Sequence, residues 1–164
     1  MEKLVKRCEK VAYYGVPDSS DGYIYTKMTG FTEMTVTKNA SEYSRQYIDE
    51  EFSQTDITGY STSVSYEFDR YKDNPVHDDI ISITDSELIG TDAVRPIIMV
   101  DMTDSDAEGN SYGAVMRNFA IIPDSEGGSN DAYTYSGTFK VKGSRVTGKA
   151  VISEDGQTIT FTED

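Results

Sequence analysis

The chain of 164 residues has no tryptophan, one cysteine and one histidine, and only 15 basic residues stand against 29 acidic ones. Each scarcity removes a class of function. With Cys8 alone, no intrachain disulfide can form, and a reduced, cytosolic-type setting is the simple expectation. One histidine and one cysteine, far apart, supply no zinc-ligand spacing. A formal net charge of −14 leaves no basic stripe to neutralise phosphates, and it disfavours anionic membranes. No apolar run approaches the length of a membrane span, and Met1–Lys10 has no apolar segment of the signal-peptide kind. A soluble, non-exported protein is the expectation. Neither a Gly-x-Ser-x-Gly elbow nor a phosphate-cradling glycine loop is present.

What is abundant is tyrosine, at twelve, with glycine and hydroxyl residues recurring at short intervals. The length suits one domain over 1–164 with its own core. Alternation predicts strands. Met34 and Val36 share one face of 32–38, and Glu33, Thr35 and Thr37 the other. A strand is predicted over 42–48. Over 60–69, Tyr60, Thr62, Val64, Tyr66 and Phe68 oppose Ser61, Ser63, Ser65, Glu67 and Asp69. Residues 95–102 form a continuous apolar run, as in a strand buried on both faces. A similar run over 114–122 is expected to stop at Pro123. Residues 133–142 alternate, and 145–152 with 157–162 read as a hairpin around Glu154-Asp155-Gly156. Together these predict a mainly β chain, a sandwich or barrel.

One helix is expected over about 75–88. Asn74 is the cap, Pro75 takes the first position, Asp78 and Asp79 sit in the first turn, and Gly90 is the stop. Long loops are expected over 15–22, 49–58, 103–113 and 124–131. Asp104, Asp106, Glu108 and Gly109 imitate the opening of a calcium loop, but Val115 occupies the position that needs a bidentate glutamate. An acidic hairpin is the reading. His77 reads as a polar residue at a helix start rather than a metal ligand or base. Tyr13-Tyr14 and the strand tyrosines could form a carbohydrate platform, but core-edge packing is the ordinary use of such residues. Carboxylates are too plentiful for any acid pair to be specific. No cofactor and no metal site is proposed.

Five blocks, in order, carry a resemblance over roughly 32–161: Glu42–Glu50, Thr58–Tyr66, Pro75–Ile81, Leu88–Arg95, and Ala120–Gly127 with Asp131–Gly137. Together they resemble the major tail tube protein of long-tailed, siphovirus-like bacteriophages or related prophage elements. The resemblance implies a tail-tube-type sandwich with a flanking helix, a non-enzymatic role, hexameric rings and their stacking into a hollow tube that passes DNA. It implies as partners other copies of the chain, a tape-measure protein, a tail terminator and baseplate or distal tail proteins. The location it implies is the virion tail, after assembly in the host cytoplasm. On that basis the faces holding Glu33, Thr35, Thr37 and Ser61, Ser63, Ser65, Glu67 are candidates for the lumen, because carboxylates and hydroxyls would not hold DNA. Arg45, Asp49, Glu50, Glu51, Asp56 and Arg95 are candidates for subunit interfaces. Both arginines are expected to pair with carboxylates, on the same chain or a neighbour. The loops over 15–22 and 49–58 are candidates for ring-to-ring contact. The rivals are the inner tube of a contractile bacteriocin or injection system, a β-sandwich carbohydrate-binding module, and, with little support, an acid-pair hydrolase.

Overall fold

The computed structural model describes residues 1–164. In chain order the strands are β1 (Lys10–Pro17), β2 (Tyr23–Lys27), β3 (Phe31–Thr37), β4 (Ala40–Arg45), β5 (Gln54–Tyr60) and β6 (Ser63–Asp69). After the helix α1 (Pro75–Asp85) come β7 (Val94–Ser105), β8 (Tyr112–Gly128), β9 (Tyr133–Val141), β10 (Val146–Ile152) and β11 (Thr158–Glu163). Apart from β4 and β5, which pair only with each other, the strands belong to one antiparallel sheet ordered β10-β11-β2-β1-β7-β8-β9-β6-β3. A further pairing of β10 with β8 closes the first six of these into a barrel.

Strand β8, at 17 residues, is what allows both a barrel and an outer sheet. Its first part, Tyr112–Met116, pairs with β10, and Phe119–Gly128 pairs with β9. The opposite edge pairs with β7 throughout 113–120. Two cores follow from the period of two in β1 and β7. Tyr13, Ile98 and Val100 point into the barrel with Ala114, Ala150 and Ile159. Their neighbours Tyr14 and Ile97 point outward, against Phe119, Ile121, Val64, Tyr66, Phe68 and Phe139. The double burial expected for 95–102 is thereby explained. Tyr13 and Tyr14 are both buried, so neither belongs to a surface platform. Gly148 is required where β10 meets β11: a Cβ there would collide with the Thr162 carbonyl and the Phe161 ring.

Helix α1 covers the outer core with Val76, Ile80, Ile81 and Ile83. Asn74 caps it, accepting from the Val76 and His77 amides at 3.1 and 3.3 Å. The helix stops at Asp85, three residues short of the expected end. Glu87 takes φ of 50°, its amide bonds the Thr84 carbonyl, and the Leu88 amide bonds the Ile83 carbonyl. This is a Schellman closure with glutamate in the left-handed position, so Gly90 has no part in it. His77 is wholly buried and stacks on Phe68 at 4.4 Å between ring centroids. Its Nδ1 accepts from the Tyr71 amide and its Nε2 donates to the Thr29 carbonyl, which fixes a neutral imidazole. Burial pushes its pKa down.

Several boundaries differ from expectation. The loop over 15–22 shrinks to 18–22, because β1 runs through Pro17 and β2 begins at Tyr23. Asp18 ties that turn by accepting from the Ser20 and Gly22 amides. The loop over 49–58 is cut short by β5, and the strand expected over 42–48 ends at Arg45. Tyr60 is the exposed last residue of β5, not part of the buried face of β6. Pro123 does not stop β8; it sits at a register shift between Pro123 and Ser125, where the missing donor costs no ladder bond. Strand residues also extend into 103–113 and 124–131, leaving turns of 106–111 and 129–132.

Candidate interaction surfaces

The polar stripes of β3 and β6 lie side by side. Glu33 faces Glu67, Thr35 faces Ser65, and Thr37 faces Ser63. Across β9 the rows continue as Ser63–Lys140, Ser65–Thr138, Glu67–Ser136 and Asp69–Thr134. Ser65 donates to Glu33 Oε1 at 2.9 Å, and the Ser125 and Ser136 hydroxyls are 2.7 Å apart. The face is thus hydroxyl and carboxylate, with Lys140 the cation in its β9 row. Opposed glutamates repel, so the pair adds nothing to the stability of a lone subunit. Ser61 stands apart, on the link between β5 and β6, with its amide on the Lys38 and Asn39 carbonyls. Period-two patterning identified each stripe; their adjacency needed the register.

The β4–β5 ribbon makes an arm. Nearly all of its residues are exposed, among them Tyr43, Ile57 and Tyr60, and the connecting loop over 46–53 carries Ile48 and Phe52 largely in solvent. Arg45 forms an ion pair with Asp56 at 2.5 Å and lies over the Tyr43 ring at 5.1 Å. Gln46 holds the loop by donating to the Glu50 and Glu51 carbonyls, both at 3.2 Å, and Gln54 donates to Glu50 Oε2. Asp49 and Glu51 reach no cation of their own chain. A two-stranded ribbon is marginal in water, and this one presents apolar side chains there.

Arg95 lies elsewhere, inside the subunit. Its Nε donates to Asp79 Oδ2 at 2.9 Å and its Nη2 to Oδ1 at 3.4 Å. The Tyr14 hydroxyl also donates to Asp79 Oδ2, at 2.5 Å. Burial, then the charge of Asp79, pushes the Tyr14 phenol well above its ordinary pKa. Both predicted arginine–carboxylate pairs therefore form within the chain. The Tyr14–Asp79–Arg95 cluster joins β1, α1 and β7 across long sequence separations, and sequence offered only the helix-dipole reading of Asp79. In the turn over 106–111, Asp106 accepts from the Asn110 amide at 2.7 Å and from the Ser111 hydroxyl at 3.1 Å. Local turn bonds account for that acidic cluster.

No family model matches the sequence, and no curated protein does. Among solved structures, the chain is similar to one in the virion of a native gene transfer agent particle. The identity is 13%, the alignment covers 97% of this chain and 99% of that one, and the TM-score is 0.59. It is also similar to a chain in the sheath/tube terminator of the PVC extracellular contractile injection system in its extended state. There the identity is 11%, the coverage 89% and 97%, and the TM-score 0.50. At such identities the likeness is one of fold. The mainly β fold of this chain, with its single helix, is shared with a chain of that virion and a chain of that contractile injection system.

Proposed function

We propose that the chain is a non-enzymatic structural subunit of a phage-like tail, whose copies close into hexameric rings and stack into a hollow tube that conducts DNA. The observation that carries this reading is the β3–β6–β9 face. Glu33, Thr35, Thr37, Ser63, Ser65 and Glu67 form one continuous, cation-poor surface on a tail-type fold. Turned toward a lumen, such a wall repels phosphates and offers few positions where DNA could lodge. Ser61 lies at the rim of that surface. The outer edge of β3 is unpaired and available to a neighbour, which suits ring closure by heterologous contacts.

The arm supplies the second contact, with Arg45 and Asp56 stiffening it and Asp49, Glu50 and Glu51 at its tip. Arg95 acts from within, bracing α1 against the sheet. Tape-measure protein, terminator and baseplate proteins would be its partners, in a virion tail assembled in the host cytoplasm. The inner tube of a contractile system is the second reading, favoured by the fold shared with a sheath/tube terminator chain. A sheath-binding outer surface would separate the two. Negative-stain electron microscopy over a concentration series tests the proposal. Rings and hollow tubes of even diameter are expected. Single particles at every concentration, together with glycan binding, would overturn it in favour of a binding module.

A further inference from the structure

The chain has four ion pairs, made by Lys3, Lys10, Arg45 and Arg95. In a protein with 29 carboxylates, three cations are nevertheless gathered around one cavity with no carboxylate in its wall. Lys38, Arg117 and Arg145 surround a space of about 190 Å³ between β3, β6, β7 and β8, floored by Val36, Val64, Ile97, Met99, Val115 and Phe119. Arg117 is poorly satisfied. Its Nε is buried with no acceptor, and its other nitrogens reach Thr62 Oγ1 and the Gly143 carbonyl only at 3.4 and 3.5 Å. A buried donor without a partner is costly, so the pocket is poised for an anionic group carrying apolar neighbours.

We infer that this pocket receives the arm tip of a second copy of the chain, with Asp49 and Glu51 set against Lys38, Arg117 and Arg145 and with Ile48 or Phe52 on the apolar floor. The tip has the matching chemistry: free carboxylates flanked by two exposed apolar side chains. Its own subunit cannot use it. The arm leaves the fold at Ala40 and returns at Tyr60, beside Lys38 and Thr62 of the pocket wall. Six extended residues carry the tip about 20 Å away from that base. The contact is therefore made between copies, one copy's arm to another's pocket, and repeated head to tail it builds a ring or tube. A nucleic-acid phosphate would meet the same cations but would leave the floor unfilled.

The inference rests on the proposed assembly only in that copies must associate. Reversal of charge on each side tests it, read by sedimentation of the full chain, with thermal melts to confirm folding. Lys38→Glu with Arg145→Glu alters exposed pocket residues whose side chains make no hydrogen bond; Asp49→Lys with Glu51→Lys alters the tip. Either pair alone should raise the concentration needed for association by on the order of tenfold or more. An equal mixture of the two variants should associate again, because each arm then meets an opposite pocket. Unchanged association in either variant, or no recovery in the mixture, overturns the inference. So does a chain that stays monomeric throughout, which with glycan binding overturns the proposed function as well. Recovery in the mixture without rings or tubes by microscopy leaves the pocket standing and removes only the tube. Retention of a labelled oligonucleotide by the pocket, lost in the Lys38→Glu, Arg145→Glu variant, would assign it to phosphate instead.

Discussion

Two hairpins of this chain have similar strand lengths and opposite circumstances. The β10–β11 ribbon turns at Asp155-Gly156 and closes the barrel, with Gly148, Ala150 and Ile159 buried against β8 and β2. The β4–β5 ribbon has five β-branched or aromatic strand residues against nine in β10–β11, and it buries almost nothing. Propensity already favours the first, and what each packs against widens the difference. The first draws its stability from the fold. The second has a sheet ladder, one ion pair and a cation over a tyrosine ring, and the rest must come from contact outside the subunit.

Paired phenylalanines break this comparison most sharply. Phe68→Ala in the outer core should cost about 3–5 kcal/mol in urea unfolding, since a wholly buried ring leaves a cavity. Phe52→Ala at the arm tip should leave the unfolding of the lone subunit unchanged within about 0.5 kcal/mol. Equal losses would mean that the arm packs on the body in solution. Next in size is Asn74→Ala, which removes the one oxygen that accepts from two amides at the start of α1 and should cost about 1 kcal/mol. Because α1 belongs to the body, that loss should appear in the main unfolding transition.

Relieving the left-handed Glu87 should act the other way. Glu87→Gly is expected to raise stability by up to about 1 kcal/mol, measured as a shift in the denaturation midpoint. His77 gives a pH signature of the body alone. Its folded pKa lies below the unfolded value near 6.5, so between the two the unfolded chain binds more protons. Stability should therefore be full above about pH 6.5 and fall as the pH drops through that window. A His77→Gln variant should flatten this slope while leaving the arm's hydrogen exchange unaltered. The smallest effect concerns the arm itself: its amides should exchange almost unprotected in the free subunit while those of β10 and β11 persist. Strong protection of β4 and β5 in a monomer would erase the contrast.

Much of the body was legible because burial on one face imposes a period of two. The β9 alternation of Tyr135 and Phe139, and the double burial of 95–102, needed no partner to be recognised. Where the pattern ran on across a backbone break, it misled: Tyr60 keeps the phase of Thr62 and Val64 but belongs to another strand. The Gly15–Pro17 end of β1 was hidden by turn-type residues that the sheet tolerates, with Gly15 leaving room for Pro96 of the adjacent strand. Helix termination at Glu87 carried no compositional mark, whereas Gly90 offered a false one. The candidate surfaces were half visible. Both polar stripes could be read, but their register could not, and the meeting of residues 38, 117 and 145 depends on three strands whose order no local pattern encodes.

The shared strand β8 has a mechanical consequence. Residues 112–128 are held on one edge by β10 and then β9, and over 112–120 on the other by β7. Tension along that strand is met by ladders running parallel to it, so their bonds must shear together rather than unzip in turn. No segment can be peeled away without opening the barrel, the outer sheet or both. A stretched subunit should therefore yield abruptly at high force, and the arm, hydrogen-bonded only to itself, should be the first part to extend.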